Sequence, residues 1–540
     1  MDVVTSSVEP PAAMLVVGDR PGAAAAAARP YVDNVVREIR ATAATATIGA
    51  PKLPARGEAG GDDTMEHSGR GGGVKTLFFG GGTPSLCPPE LVGLLIETVR
   101  DCYGIAAGAE ISMEMDPGTF DEARLEAFLA LGITRVSMGV QSFDGGLLEA
   151  CGRAHSLADV YQAVELLRKA KVDNFSIDLM SGLPKQTVEQ WEHTLSEAIA
   201  TGAAHISVYD LQVEAGTPFG RWFSPGEAPL PEDETCADMY RTASRVLGRA
   251  GYGHYEISNY ARPGFQSRHN RAYWENVPFL AFGNGAASFV DGHRFSRPRG
   301  LPEYGQWVGE LEEEGWAKAT GAPRRTACEE VLPGGGGMGD GGGVEESRPS
   351  REALERDALL DDVMLGFRLK EGLDLRVVAS KYGHSAARRV EEGATEGLRL
   401  GWVVRDAAAT GSHGGDVGAG GEKSGRNVDR VDDDFVYDGG RRSSSSTLGA
   451  GSAAGNVGDH GRTSPGRGLP DYRGGGHEDR TAEVASNSGP RGEWGTLRLS
   501  DPDGFLFSNS VISSVFCELD GWKKCDQEQD GGVASAKIDR

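Results

Sequence analysis

Short apolar runs alternate with helix-forming stretches between residues 74 and 213, and this pattern constrains the fold more than any other feature. The apolar runs are predicted strands, at Val74–Phe79, Glu110–Met115, Thr134–Val140, Asn174–Met180 and His205–Val213. The stretches between them have helical periodicity, at Pro89–Cys102, Asp121–Leu131, Leu157–Ala170 and Val188–Thr201. Strands that alternate with helices in this way form a parallel sheet of βαβ units. The sequence therefore predicts an α/β fold whose ligands bind beyond the carboxyl ends of the strands.

The segments outside this core are expected to differ in their degree of order. The chain has 79 glycines, and long stretches that are rich in glycine cannot bury enough apolar surface to fold. We expect an unstructured tail over 1–30, followed by a core domain over 31–320 that begins with a helix at Tyr31–Arg40 and contains a flexible insertion over 57–73. A glycine-rich linker over 321–350 then leads to a small helical domain over 351–520, which is interrupted by a disordered insertion over 406–493. That domain should contain a hairpin and a helix within Thr496–Phe516, and a tail over 521–540 ends the chain.

Charge and cysteine content exclude some classes of function. The formal net charge of −24 argues against nucleic-acid binding, which usually needs a basic surface. No run of 18 or more apolar residues occurs, so no stable membrane span is expected. The seven cysteines include no CxxC pair, which is typical of reduced intracellular thiols and not of a disulfide framework.

A glycine motif, GGGTPS at Gly80–Ser85, directly follows the first predicted strand of this alternation. Consecutive glycines such as Gly81 and Gly82, followed by Thr83, let a backbone approach a ligand closely and present its N–H and C=O groups. The same residues would also make a tight turn from strand to helix. The motif has no GK[ST], so it is not a Walker loop.

Polar side chains stand at the ends of the next predicted strands. Glu114 and Asp116 belong to MEMDPG, and Asp178 belongs to SIDLMSGLP. An acid within an apolar strand is costly unless it is paired or faces a ligand. Gln141 and Arg153, which follow the predicted strand Thr134–Val140, add an amide and a cation. Together they could hold the hydroxyls and carboxylate of a nucleoside–amino-acid ligand, although each could instead bond only to neighbouring backbone.

The segment HNRAYW, His269 to Trp274, places an imidazole, an amide and two large rings within six residues. An imidazole can ligate heme iron, and flat rings can pack on a macrocycle. A core histidine beside aromatic residues explains the same pattern, and the residues alone leave both interpretations open.

Eight segments in register resemble the HemN/HemW family of radical S-adenosylmethionine (SAM) proteins. They are GGGTPS, EMDPGTFD, RVSMGVQSFD, CGRAHS, DLMSGLPKQT, HISVYDLQVEAGTPF, HYEISNYARPGFQSRHNRAYW and FGNGAASF. The resemblance implies a radical SAM partial (β/α) TIM-type barrel of six strands, followed by a small α-rich, winged-helix-like domain. By motif, it assigns SAM binding to Gly81, Gly82, Thr83, Glu114, Gln141, Arg153 and Asp178.

Two branches of that family differ in function. HemN is an oxygen-independent coproporphyrinogen III dehydrogenase, whereas HemW is regarded as a chaperone that delivers heme to respiratory proteins. The HNRAYW run is similar to the HNxxYW heme motif of HemW, so the chaperone is the first hypothesis and the dehydrogenase the alternative. The resemblance implies heme contacts from His269, Asn270, Tyr273 and Trp274, with His269 as the iron ligand. It also favours a mitochondrial location, with plastid or cytoplasm as alternatives.

The chain departs from the family at the cluster motif. Members have a CxxxCxxC loop before the helix that matches Tyr31–Arg40, and its thiolates hold a four-iron, four-sulfur cluster. The corresponding stretch, Met14–Pro30, contains no cysteine, and Cys87 lies on the wrong side of that helix. We expect either a first exon missing from this sequence or a true loss of the cluster. A complete sequence would favour a third role, a cluster-free scaffold.

Overall fold

A computed structural model describes residues 13–16, 24–45, 72–213, 218–224, 227–320, 351–406 and 494–520. The first elements alternate as the sequence predicts. They are β1 (Ala13–Val16), α1 (Ala24–Thr45), β2 (Val74–Gly80), α2 (Pro89–Tyr103), β3 (Ile105–Glu114), α3 (Glu122–Ala130), β4 (Arg135–Gln141), α4 (Gly145–Ala150), α5 (Leu157–Lys169), β5 (Phe175–Ser181), α6 (Val188–Ala200) and β6 (His205–Asp210).

A second set of elements completes the core domain. It comprises α7 (Pro218–Trp222), α8 (Asp233–Arg249), β7 (Gly253–Glu256), β8 (Asn259–Ala261), α9 (Arg268–Trp274), β9 (Leu280–Phe282), β10 (Ala287–Val290), β11 (His293–Ser296), α10 (Leu301–Glu314) and α11 (Trp316–Thr320). The main sheet has the order β7-β8-β6-β5-β4-β3-β2-β1-β9. Strands β1 to β6 are mutually parallel, which confirms the predicted parallel α/β sheet of a partial barrel.

The two faces of this sheet differ in polarity. Successive side chains of a strand point to opposite faces. One face carries the buried apolar core beneath the helices: Leu77, Phe79, Ile111, Met113, Val136, Met138, Ile177, Leu179, Ile206 and Val208. The other face carries mostly polar side chains, among them Thr76, Glu110, Ser112, Glu114, Ser137, Ser176, Asp178 and Ser207. Parallel sheets are usually apolar on both faces, so the polar face is the one suited to a ligand.

The N-terminal region differs from the expected tail over 1–30. Ala13–Val16 forms β1 between β2 and β9, and α1 begins at Ala24. A four-residue strand has no periodicity that a sequence pattern can detect, and its partner β9 lies far along the chain. The predicted segments 321–350 and 521–540 lie outside the described residues, as do all of 57–73 except Gly72 and Gly73 and all of 406–493 except Asp406, which ends β13.

The helix α1 is anchored by a buried ion pair. Glu38 and Arg297 have no exposed side-chain surface, and their Oε1 and Nε atoms are 2.8 Å apart. Glu38 also accepts hydrogen bonds from the Tyr304 hydroxyl at 2.5 Å and the Gly283 N–H at 2.9 Å. This network joins α1 to the end of β9 and to α10, whose contacting residues lie 245 and 266 positions after Glu38.

The C-terminal domain combines helices with a small antiparallel sheet. Its elements are α12 (Arg351–Gly366), β12 (Leu373–Asp374), α13 (Leu375–Tyr382), α14 (His384–Gly393), α15 (Thr395–Leu400), β13 (Val403–Asp406), β14 (Thr496–Leu499), α16 (Asp503–Leu506) and α17 (Ser508–Leu519). The hairpin predicted within Thr496–Phe516 is wrong. Strand β14 lies between β12 and β13, and its register pairs Thr496 with Asp406, so its partners precede the long insertion. No helix in the described part of the chain is long and apolar enough to cross a membrane.

Candidate functional site

Asp116 connects three segments at the carboxyl edge of the sheet. One of its carboxylate oxygens accepts a hydrogen bond from Arg153 Nη2 at 3.0 Å, and the other accepts from the Thr83 hydroxyl at 3.4 Å. Arg153 Nη2 also donates to the Gly139 carbonyl at 3.0 Å. A Cβ on Gly139 would lie 2.8 Å from Asp116 Oδ1, so a larger residue at this position would displace the Asp116 carboxylate. The glycine motif and the CGRAHS segment are therefore held together through a carboxylate.

The glycine motif turns sharply as the sequence suggests. Gly81 and Gly82 have φ angles of +83° and +56°, a region that residues with a Cβ rarely adopt. Arg124 then fixes the end of the loop, because its guanidinium donates to the carbonyls of Ser85 at 2.6 Å and Leu86 at 2.7 Å. The loop backbone is thus rigid where it borders the edge of the sheet.

Gln141 ends β4 in a strained conformation. Its φ is +71°, which is uncommon for a residue other than glycine, asparagine or aspartate. Its side-chain Oε1 is buried and has no hydrogen-bond partner among the described residues. Local strain and an unpaired buried acceptor often mark a ligand site.

Glu114 and Asp178 lie on the same polar face of the sheet, close enough for the charge of Asp178 to act on Glu114. Asp178 accepts hydrogen bonds from the hydroxyls of Ser137 at 3.0 Å and Ser176 at 3.4 Å. Burial raises the pKa of Asp178 despite these bonds. Burial, and then the charges of Asp178 and Asp116, raise the pKa of Glu114 to about 8. This group of carboxylates therefore repels additional negative charge and favours a cation.

SAM fits these residues by chemistry. Its sulfonium and ammonium groups are cations, which the carboxylates of Glu114, Asp116 and Asp178 would stabilise. The unpaired Oε1 of Gln141 supplies an acceptor for an N–H or O–H of the ligand. Gly81, Gly82 and Thr83 directly follow β2, and Glu114 and Gln141 end β3 and β4. Asp178 lies three residues before the end of β5, and Arg153 follows α4 and reaches the Gly139 carbonyl of β4. Asp116, which the sequence singled out without assigning it to SAM, and Gly139, which it did not single out, lie beside these residues.

Replacing Glu114 with glutamine is expected to stabilise the protein without ligand, mainly at alkaline pH. A carboxyl whose folded-state pKa is raised loses stability as pH rises from its ordinary value of 4.5 towards about 8. Glutamine keeps the shape and removes the charge, so Glu114→Gln should raise the free energy of unfolding by about 1–2 kcal/mol at pH 8. At pH 5 the gain should be much smaller. Urea denaturation at both pH values measures the difference.

Glu126→Gln is the control for this experiment. Glu126 is exposed on α3, so its substitution should change stability little at either pH. A Glu114→Gln variant with the same stability as the parent at pH 8, or the same gain at pH 5 and pH 8, would contradict the assignment.

His269 lies inside the core domain, away from this edge. Its side chain is 3% exposed, and its ring stacks on Phe78 with centroids 4.9 Å apart. Its Nδ1 is 3.1 Å from the Thr76 hydroxyl, and its backbone N–H donates to Glu110 at 2.9 Å. Thr76 and Glu110 are paired in the sheet four residues before the carboxyl ends of their strands. Burial lowers the pKa of His269 to about 3, so its imidazole is neutral.

The other residues of HNRAYW are half-buried, except Ala272, which is buried. Asn270 Nδ2 donates to the Tyr255 hydroxyl at 3.4 Å and to Glu256 at 3.3 Å. Tyr273 contacts the rings of His269 and Phe279 edge-on. Trp274 is half-buried, and its indole nitrogen has no partner in the described part of the chain. The structure therefore brings the four heme candidates together on α9, with the imidazole covered by Phe78.

Comparison with known proteins identifies the family. Residues 62–198 match the Radical SAM superfamily. The chain is 43% identical to heme chaperone HemW of Synechocystis sp. over 309 residues, which covers 57% of this chain and 67% of the relative. The chain belongs to the HemN/HemW family of radical SAM proteins. It is also 38% identical, over 248 residues, to the mitochondrial radical S-adenosyl methionine domain-containing protein 1 of Danio rerio, covering 45% of this chain and 56% of that protein.

A solved structure supports the fold of this HemN/HemW family member. The chain superposes on coproporphyrinogen III oxidase HemN from Escherichia coli with a TM-score of 0.53 and 20% identity. The superposition covers 70% of this chain and 78% of the HemN chain. At this level of identity the likeness concerns the fold alone.

The cluster expected for the family does not fit the residues of this chain. Iron–sulfur clusters are held by cysteine thiolates, and the sequence contains no CxxxCxxC triplet. Within the described ranges, no group of three or more His, Cys, Asp or Glu residues could hold a metal ion. Cys87 is buried, and burial raises the pKa of its thiol to about 12, which disfavours the thiolate that a cluster needs.

Proposed function

We propose that this protein is a heme chaperone of the HemW type, which binds heme and SAM and lacks coproporphyrinogen oxidase activity. The observation that carries the proposal is the 43% identity to a protein named heme chaperone HemW. The carboxylate group at the edge of the sheet supports SAM binding on physical grounds, because it combines a raised pKa at Glu114 with an unpaired acceptor at Gln141.

In this proposal the residues of the chain bind and orient SAM. Gly81 and Gly82 let the backbone approach the ligand, while Glu114 and Asp178 stabilise its positive groups. Arg153 is held beside them by its ion pair with Asp116. In this position its guanidinium can pair with the carboxylate of SAM. The thiolates that a four-iron, four-sulfur cluster requires are absent from this sequence, so the proposal concerns binding and transfer and includes no radical step.

The proposed location of the protein in the cell and the proposed recipients of its heme are based on the same family. We propose a mitochondrial location, because the Danio rerio relative carries that word in its name. Heme-accepting respiratory proteins are the proposed partners, as expected for a chaperone of this branch.

Titration with hemin and with SAM tests the proposal on the full chain. Hemin should produce a Soret band that saturates at one equivalent, and should then pass to an apo-heme protein added in excess. Calorimetry should give a lower Kd for SAM than for S-adenosylhomocysteine, because only SAM carries the sulfonium charge that the carboxylates favour. Hemin binding no stronger than to an unrelated acidic protein would refute the chaperone function, and turnover of coproporphyrinogen III would favour the dehydrogenase.

A further inference from the structure

Ion pairs join the core domain to the C-terminal domain, and one arginine at this boundary lacks a counter-charge. Three arginines of the core domain each pair with a carboxylate of the C-terminal domain, at 2.8, 2.9 and 3.4 Å: Arg271 with Glu371, Arg241 with Asp503 and Arg294 with Asp361. Arg368 follows α12 and differs from them. Within the part of the chain that the structure describes, its guanidinium forms no ion pair and donates one hydrogen bond, to the Asn509 amide oxygen at 2.9 Å.

The position of Arg368 is costly for a cation. The side chain is half-buried, and burial lowers its pKa. Glu256 acts on it through its charge alone, and burial raises the pKa of that carboxyl. A guanidinium that has lost part of its hydration is stabilised only when an acceptor replaces the water. The side chain is therefore placed as if an anion were to bind beside it.

The indole of Trp274 adds a second donor at the same place. The guanidinium carbon of Arg368 lies 5.8 Å from the centroid of the Trp274 ring. The Nε1 atom of Trp274 is buried and has no hydrogen-bond partner among the described residues. An indole N–H and a guanidinium can only donate. Their common complement is an acceptor with negative charge, and a carboxylate provides both oxygens and charge.

The backbone on either side of Arg368 is fixed against the core domain. Leu369 forms an isolated antiparallel bridge with Glu256. The Lys370 N–H donates to the Tyr255 carbonyl at 3.0 Å. The two donors therefore belong to different domains, but their spacing is set by main-chain contacts and does not depend on a flexible arm.

We propose that Arg368 and the indole N–H of Trp274 bind one propionate carboxylate of a porphyrin. The proposal rests on the proposed function, since it names residues that recognise the heme of a chaperone. Trp274 ends α9, the helix that carries His269, so the ligand would lie between α9 and the C-terminal domain. The formal charge of −24 repels an anion in general, which makes a cation without a counter-charge the favoured place for a carboxylate.

Esterification of the ligand tests this contact directly. The full chain is titrated with hemin and with hemin dimethyl ester, in which both propionates are uncharged. The parent should bind hemin about tenfold more tightly than the ester, because the ester cannot form the charged pair. Arg368→Gln should bind hemin about tenfold more weakly than the parent and should bind the ester as the parent does, so that the preference disappears.

Two further variants separate the donors from general packing. Trp274→Phe keeps an aromatic ring and removes the N–H, so it should weaken hemin binding several-fold. Arg294→Gln is the matched control. Arg294 also lies over a ring at this boundary, 4.5 Å from the centroid of Phe289, but it already pairs with Asp361. Its substitution should leave the affinity for both ligands unchanged.

The outcomes distinguish this site from the chaperone function. If the parent binds hemin and its ester equally well, the carboxylate site is overturned and heme binding stands; this comparison needs no variant. The site is also overturned if Arg368→Gln keeps the parent affinity for hemin, or loses affinity for hemin and ester alike. If the parent binds hemin no better than an unrelated acidic protein does, the proposed function falls and the site falls with it.

Discussion

Glu38→Ala is expected to lower the free energy of unfolding by about 3–5 kcal/mol, because it leaves a buried guanidinium without its counter-charge. Arg297 has no exposed side-chain surface, and its guanidinium lies over the rings of Phe295 and Trp307 at 4.8 and 5.6 Å. The same substitution removes the acceptor of the Tyr304 hydroxyl. Chemical denaturation at neutral pH measures the loss, and a Glu38→Gln variant should lose less, since its one amide oxygen can still accept part of these hydrogen bonds.

Arg37→Ala provides a matched control on the adjacent residue of α1. Arg37 also pairs with α10, through Glu312, at 2.5 Å, but the two side chains are 44% and 38% exposed. Exposed pairs contribute about 0–1 kcal/mol, so this variant should lose little. Equal losses for Arg37→Ala and Glu38→Ala would mean that burial does not set the cost, and the assignment of Glu38 as the anchor of α1 would be wrong.

Sequence periodicity predicted the parallel strands well because each one buries an apolar face. The run Val74–Phe79 became β2, Val74–Gly80, and the four later strands also lie where their apolar runs indicate. The strand β1 could not be predicted in this way, because four residues contain too little pattern. Its place in the sheet depends on β9, whose first residue, Leu280, pairs with Ala13.

The sequence was sufficient to predict several residues of the candidate site, but it was not sufficient to predict how they are arranged. Glu114 and Asp178 were identified because an acid within an apolar strand is costly unless it is paired or faces a ligand. The role of Gly139 could not be found from the sequence, since only the folded chain brings Asp116 and Arg153 against its Cα. The false hairpin at Thr496 has a similar cause, because the Asp-Pro-Asp-Gly run after β14 has the composition of a turn while the true partner strand precedes the insertion.

The HNRAYW segment shows most directly what residue types alone cannot predict. An imidazole near two rings has the same sequence pattern in a heme site and in a core. The structure adds that His269 stacks on Phe78, from a strand nearly two hundred residues earlier, and the heme contact of His269 stays a prediction. Residue types alone therefore cannot distinguish a heme-binding histidine from a core histidine, and the contacts of the folded chain are needed as well.

His269→Ala is expected to reduce stability while leaving the hemin affinity of the folded protein unchanged. The substitution removes the ring stacked on Phe78 and the contact of Nδ1 with Thr76, and it leaves a cavity in the core. Loss of this packing and of one buried hydrogen bond should cost about 2–3 kcal/mol at pH 7. His293→Ala, a half-buried residue of β11, is the control and should cost less than about 1 kcal/mol.

The effect of pH distinguishes a buried neutral histidine from other core residues. Burial lowers the pKa of His269 from 6.5 to about 3, so the unfolded chain binds a proton between these values and the folded chain does not. The parent should therefore lose stability as pH falls below 6.5, while His269→Ala lacks this contribution. The stability gap between them should narrow by about 1–2 kcal/mol between pH 7 and pH 5.

Hemin titration of the same samples decides between packing and ligation. If the imidazole only packs, His269→Ala keeps the parent affinity once the folded fraction is accounted for, and the Soret band keeps its position. If His269→Ala keeps its stability but loses at least tenfold in hemin affinity, the imidazole is the iron ligand and must leave its contact with Phe78 when heme binds. That result would place heme at α9 and would require a movement of α9 away from β2, because the described packing covers the ring.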